Sequence, residues 1–215
     1  MNTGAPIAVF DSGIGSYSIV RVLQRELPNE NIIYLAEREN FPYGGKTHDE
    51  LKRLIDKTIR WFESTIRPKL IVIASNTPSI QVLPGIRMGH ETSIIGVFPP
   101  AENAMQISRT KHIGILATKG AVESSEIDDF LRSKRFLSKN VVRKINASDL
   151  VSLVESGTFQ TDERKTQEII KSIIAKKKSH VVKLLVMRAE KICGVAIFFQ
   201  DTGDTRELLI CGVGI

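Results

Sequence analysis

Three short clusters in this chain are built from residues that can do chemistry: Asp11-Ser12-Gly13, Pro42-Tyr43-Gly44 and Ser75-Asn76-Thr77. They combine hydroxyl, phenol and amide groups with a single carboxylate, so they can donate and accept hydrogen bonds with little fixed charge. Ser75-Asn76-Thr77 directly follows Ile71-Val72-Ile73-Ala74, an unbroken apolar run. Such a run suits a parallel strand covered on both faces, and in open α/β sheets ligands collect beyond the carboxyl ends of these strands. The same side chains also serve as helix caps, so ligand binding and capping both stand as readings of this cluster. Asp11-Ser12-Gly13-Ile14-Gly15-Ser16 is a glycine-bearing turn between a strand and a helix, where the backbone can approach a ligand. It lacks the third glycine of a dinucleotide fingerprint, and Glu30 or Glu37 would be a forced ribose partner, so nucleotide binding is disfavoured.

The elements needed to position these clusters are legible in order. Pro6–Phe10 and Asn31–Leu35 read as strands, with a helix between them carrying Ile19, Val20, Leu23 and Leu27 on one face. Residues 37–46 are too rich in Pro and Gly to be regular. A helix is expected from Thr47 to about Thr65, a strand over 70–74, a helix starting around Ile80 and Leu83, and a fourth strand from Ile94 to Phe98. After Pro99-Pro100 the rhythm restarts. Helices are expected near 101–105, over 122–137, over 147–156 and over 161–178, with strands at 112–117, weakly at 140–142, and at 181–186. The result is an α/β protein of two doubly wound parallel-sheet domains, 1–98 and 99–199, with residues 200–215 able to complete the first. The apolar runs Cys193–Phe199 and Leu208–Val213 read as a hairpin or two strands with no helix between them.

Composition sets limits. The chain has 215 residues, 42% of them hydrophobic, which is enough for a real core. A net charge of +6 invites nucleic acid, an anionic membrane or an acidic small molecule. Lys and Arg are dispersed apart from Lys176-Lys177-Lys178, read as a solvated helix end, and the 6% aromatic content offers no stacking platform; a nucleic-acid partner is therefore not expected. No run approaches the roughly 18 apolar residues that span a bilayer, so no membrane partner is expected. Cys193 and Cys211, without CxxC spacing or a nearby His in ligand spacing, suggest neither a metal site nor a disulfide framework and fit a reducing cytoplasm.

With Asp11-Ser12-Gly13, Pro42-Tyr43-Gly44, Ser75-Asn76-Thr77 and Gly114-Ile115-Leu116-Ala117-Thr118 in order and each at a strand end, the chain resembles glutamate racemase of the aspartate/glutamate racemase superfamily from about residue 6 to about 186. The resemblance implies two α/β domains related by a pseudo-twofold and facing each other across a cleft that holds a free amino acid, without a cofactor. It implies that Asp11, Ser12, Pro42, Tyr43, Gly44, Ser75, Asn76, Thr77 and Thr118 bind the substrate, although Ser12 and Thr118 could also simply cap turns. It further implies interconversion of L- and D-glutamate for peptidoglycan, glutamate as the small-molecule partner, a cytoplasmic location and scope for a homodimer.

The same resemblance exposes a gap in the chemistry. Racemisation without a cofactor removes a weakly acidic Cα proton on one face and returns one on the other, and the family uses two cysteines on opposite walls for this. Here Ser75 stands at the first cysteine position. A thiol with a reference pKa of about 8.5 can be brought to ionise near neutrality, whereas an alcohol is far less acidic. Asp11 would assist proton transfer at that position. At the second site the family's Cys-Thr-His is replaced by Val186-Met187-Arg188, Cys193 lies too far along to substitute by simple register, and His180 precedes the strand. Glu155 matches a glutamate that supports the second acid/base pair and would be left without its partners. The abrupt change near Met187 has two explanations, a shifted reading frame or divergence of a short homologue; the other two frames of the gene beyond codon 185 decide between them. The leading expectation is an impaired glutamate racemase-type enzyme. The alternatives are a non-catalytic amino-acid-binding homologue and an aspartate racemase-like enzyme.

Overall fold

The computed structural model describes residues 4–108, 113–133, 142–175, 182–184, 195–201 and 206–212. The chain divides into two compact units, the first running to Phe98 and the second from Pro99 to Gly212. Lys176-Lys177-Lys178, His180, Val186-Met187-Arg188 and Cys193 lie outside the described residues.

In the first unit, β1 (Ile7–Asp11), β2 (Ile32–Ala36), β3 (Leu70–Ile73) and β4 (Ser93–Gly96) form one parallel sheet in the order β2-β1-β3-β4. Asp11 is paired with Ala36, and Phe10 with Ile73. Strand alternation sends Ala8, Phe10, Ile71, Ile73 and Ile94 to one face and Ile7, Val9 and Val72 to the other. On the first face lie α2 (His48–Trp61) and the short α3 (Asn76–Gln81) and α4 (Leu83–Ile86). The other face is covered by α1 (Tyr17–Glu26) through Ile19, Val20 and Leu23.

Helix α2 begins in a capping box: Thr47 Oγ1 accepts from the Glu50 N–H, and Glu50 Oε2 accepts from the Thr47 N–H at 2.9 Å. Leu51, Ile55 and Ile59, each four residues apart, bury the stripe that faces the sheet. The helix widens over Phe62–Ile66 and stops where Arg67 takes the left-handed conformation. Its end is tied to the segment preceding β4 by His90, whose fully buried ring lies 3.0 Å from Glu63 and 3.1 Å from Asp56.

The second unit contains α5 (Ala101–Ile107), β5 (Ile113–Ala117), α6 (Lys119–Glu123), α7 (Ser125–Ser133), β6 (Val142–Asn146), α8 (Ser148–Glu155), α9 (Thr158–Thr161), α10 (Glu163–Ala175), β7 (Val182–Leu184), β8 (Val195–Asp201) and β9 (Arg206–Gly212). Strands β5 and β6 are parallel, while β7, β9 and β8 form a separate sheet in which β8 and β9 are antiparallel.

Several elements differ from the sequence expectation. The helix expected over 122–137 begins earlier and is broken at Ser124, whose Oγ donates to the Ala121 carbonyl and accepts from the Ile127 N–H. Of the strand expected at 140–142 only Val142 lies within the described residues, and the strand continues from it to Asn146, because pairing with β5 outweighs the charged residues Arg143 and Lys144. The long helix starts at Glu163, not Thr161, after Asp162 Oδ1 accepts the Lys165 N–H at 2.9 Å. Helix α3 starts at Asn76, immediately after Ser75.

Candidate functional site

All three clusters of the first unit lie at the carboxyl ends of its strands. Asp11 is the last residue of β1 and 3% exposed; its Oδ1 accepts the Ser12 N–H at 2.7 Å. The turn after it is held from within by Ser16, which donates to the Gly13 carbonyl and shares a hydrogen bond with the Tyr34 hydroxyl at 2.7 Å. It is held from without by Arg38, whose guanidinium donates to the Ser12 carbonyl at 2.9 Å and lies over the Phe41 ring. Arg38 thereby joins the first cluster's loop to the second's.

Glu37 follows β2 directly, and its N–H donates to the Asp11 carbonyl at 2.7 Å. Asn40 fixes Glu37 Oε1 with its side-chain amide at 2.8 Å and its backbone N–H at 3.3 Å. Pro42 is exposed and accepts the Gly45 N–H, closing the tight turn Tyr43–Gly45, which includes Gly44. Tyr43 points inward and is 3% exposed. Burial, and then the neighbouring carboxylates Glu37 and Asp11, push its phenol far above the usual tyrosine range, so it is a neutral donor. Tyr43 OH, Glu37 Oε2 and Asn76 Oδ1 are all buried without a well-formed hydrogen bond, and the Glu37 carboxylate stands near enough to the Tyr43 phenol to act on it by hydrogen bonding as well as by charge.

Ser75 occupies the N-cap position of α3, yet its hydroxyl makes no capping hydrogen bond, so the capping alternative fails for this residue. The turn is held by Ser79 instead. Ser79 Oγ lies 2.6 Å from the Ser75 carbonyl and 3.3 Å from the Ile73 carbonyl, and accepts the Val97 N–H at 3.0 Å. Gly96 allows this approach: a Cβ there would stand 2.6 Å from Ser79 Oγ and 2.8 Å from Leu83 Cδ2. Thr77 is buried beside them.

The structure thus gathers Asp11, Ser12, Tyr43, Gly44, Ser75, Asn76 and Thr77 at one end of the first unit's sheet, while Thr118 and Glu155 belong to the second unit. Thr118 is the N-cap of α6 and accepts the Ala121 N–H at 3.4 Å. Glu155 is the partly buried last residue of α8. Sequence reasoning missed Arg38, Ser79 and Gly96 as positioning residues, since their roles depend on contacts between separate loops and strands. Glu37 was more accessible: a carboxylate directly after β2 stands beside the one that ends β1. Among the described residues, no group of His, Cys, Asp and Glu is arranged to hold a metal ion, and no helix is long and apolar enough to cross a membrane.

No protein-family model matches the chain. It is 33% identical over 209 residues to glutamate racemase of Shewanella denitrificans, an alignment covering 93% of this chain and 74% of that protein. The chain belongs to the glutamate racemase family. The 93% coverage carries this similarity past Met187. Against glutamate racemase of Glaesserella parasuis, identity is 33% over 166 residues, and the chain spans 61% of that protein's length. The fold agrees with glutamate racemase from Francisella tularensis, solved in complex with D-glutamate: the TM-score is 0.68 at 25% identity, covering 85% of this chain and 67% of that one. The α/β architecture with parallel sheets described above is therefore the glutamate racemase fold.

Proposed function

We propose that this protein binds free glutamate through Asp11, Ser12, Tyr43, Asn76 and Thr77 and interconverts its enantiomers without a cofactor, at a rate limited by the serine at position 75. The observation carrying this reading is the group of buried, unpartnered polar atoms on Tyr43 and Asn76 beside Asp11, in a chain whose relatives are glutamate racemases. Unpaired buried polar atoms are unfavourable unless a ligand supplies the missing partners. In this reading Asp11 orients the Ser75 hydroxyl and accepts its proton. The reaction takes place in the cytoplasm, and a homodimer is the assembly. Each tenfold loss of rate is about 1.4 kcal/mol of barrier, and replacing a thiolate by an alcohol raises the barrier by several such steps.

A second reading, an amino-acid-binding protein without turnover, is favoured by Ser75 together with Val186-Met187-Arg188 at the two positions where the family carries cysteine. One experiment separates the two. Each glutamate enantiomer is incubated with the protein in heavy water, and loss of the Cα proton is followed by NMR. Exchange above the buffer rate is expected from the racemase reading; saturable binding without exchange overturns it in favour of the second.

A further inference from the structure

The chemistry of the unpartnered atoms says more about the ligand than that one is bound. Two of them, Glu37 Oε2 and Asn76 Oδ1, are acceptors; the third, the Tyr43 hydroxyl, has a single proton to donate. The carboxylates of Glu37 and Asp11 both lie near this phenol. One phenol proton serves one acceptor, so the remaining oxygens call for a group rich in N–H donors. An ammonium, with three, is such a group.

The two ends of Glu37 are used differently. Asn40 takes Oε1 with two hydrogen bonds, which fixes the carboxylate plane and leaves Oε2 facing the interior. Its backbone is pinned as well, through the bond from its N–H to the Asp11 carbonyl. A carboxylate held on one side, with only a neutral phenol near its buried other side, is prepared for a cationic partner.

We propose that Glu37 is a ligand-contacting residue, its Oε2 acting with Asp11 to receive the ammonium group of the bound amino acid, with Asn40 as the residue that positions it. This rests on the glutamate reading given above and assigns the recognition of one of the ligand's functional groups. Charge supports the pairing: an amino acid whose ammonium meets two carboxylates leaves its own carboxylates to the hydroxyl and amide groups of Ser12, Asn76 and Thr77.

Calorimetric titration tests the assignment with two probes, glutamate and glutarate, which is glutamate without its amino group. Glu37→Gln is expected to weaken glutamate binding by about tenfold to a hundredfold, the range of a lost charge-assisted hydrogen bond. Glutarate affinity is expected to stay the same or rise. Asn40→Ala, which keeps the carboxylate and removes its anchor, is expected to give a smaller loss, again for glutamate alone, and it serves as the test should Glu37→Gln fail to fold by circular dichroism. Equal losses for both probes, or no loss for either, overturn the assignment while leaving the glutamate reading intact. If the wild-type protein binds glutamate at no attainable concentration, both fall.

Discussion

Ser75 and Thr118 make an instructive pair, one from each unit. Both follow an apolar parallel strand, both have extended backbone, and both occupy the N-cap of a short helix. Thr118 spends its hydroxyl oxygen on the Ala121 N–H, as a cap does; Ser75 makes no such bond, and the turn it belongs to is held by Ser79. The same residue class in the same local setting therefore has a local task in the second unit and none in the first. A hydroxyl released from capping is available to a ligand, and the buried unpartnered atoms of Tyr43 and Asn76 belong to that same first unit.

The contrast can be pressed hardest at residue 75. Ser75→Cys is expected to raise Cα proton exchange by about a hundredfold or more on one enantiomer, read by NMR in heavy water, since about 2.7 kcal/mol of barrier is at stake in two tenfold steps. An unchanged rate would mean that the serine is not the only defect.

Next in size is the packing that relieves Ser75 of capping. Gly96→Ala is expected to destabilise the protein by about 1–3 kcal/mol in urea denaturation, because the added methyl meets both Ser79 and Leu83. Gly85→Ala, with open space around its Cβ, is expected to leave stability unchanged or raise it by less than about 1 kcal/mol.

Acid should act on the first unit through the carboxylates around His90. Hydrogen bonding from Arg60, then its charge, holds Asp56 below its usual range; for Glu63, burial opposes the shift, but the Thr92 N–H and His90 prevail and lower it too. Both groups thus bind protons less readily in the folded chain than in the unfolded one. Their contribution is complete above the ordinary carboxylate range and is lost as pH falls through their depressed folded-state values. Urea midpoints measured from neutral pH downward should fall less steeply for Glu63→Gln than for the wild type.

The smallest effect returns to the opening pair: Thr118→Ala is expected to lower stability by about 1 kcal/mol, the usual worth of a cap, and Ser75→Ala by only a few tenths. Equal losses in thermal denaturation would erase the distinction between the two hydroxyls.

Strands β1 and β3 were legible because an unbroken apolar run has few other uses, and the polar clusters after them followed directly. Strand β6 was obscured because Arg143 and Lys144 read as solvent-facing and only its partner β5 makes it a strand. The break at Ser124 depends on a hydroxyl serving two backbone groups, which composition does not reveal. Residues carried by a local motif, such as Asp11 and Asn76, stand at the strand ends where the motif implied them. Those acting across the sheet, such as Arg38 on the Ser12 carbonyl or Gly96 beneath Ser79, have no local signature, because the reason for each lies in a different segment of the chain.

The fit between Gly96 and Ser79 also bears on how this protein can change over generations. Residue 96 is on the edge strand of the sheet and outside all three clusters, but any side chain larger than hydrogen there would move the segment that aims Ser75, Asn76 and Thr77. Position 96 is thus closed to drift for as long as that aim is under selection, and a lineage that had given up the site would be expected to lose this glycine early.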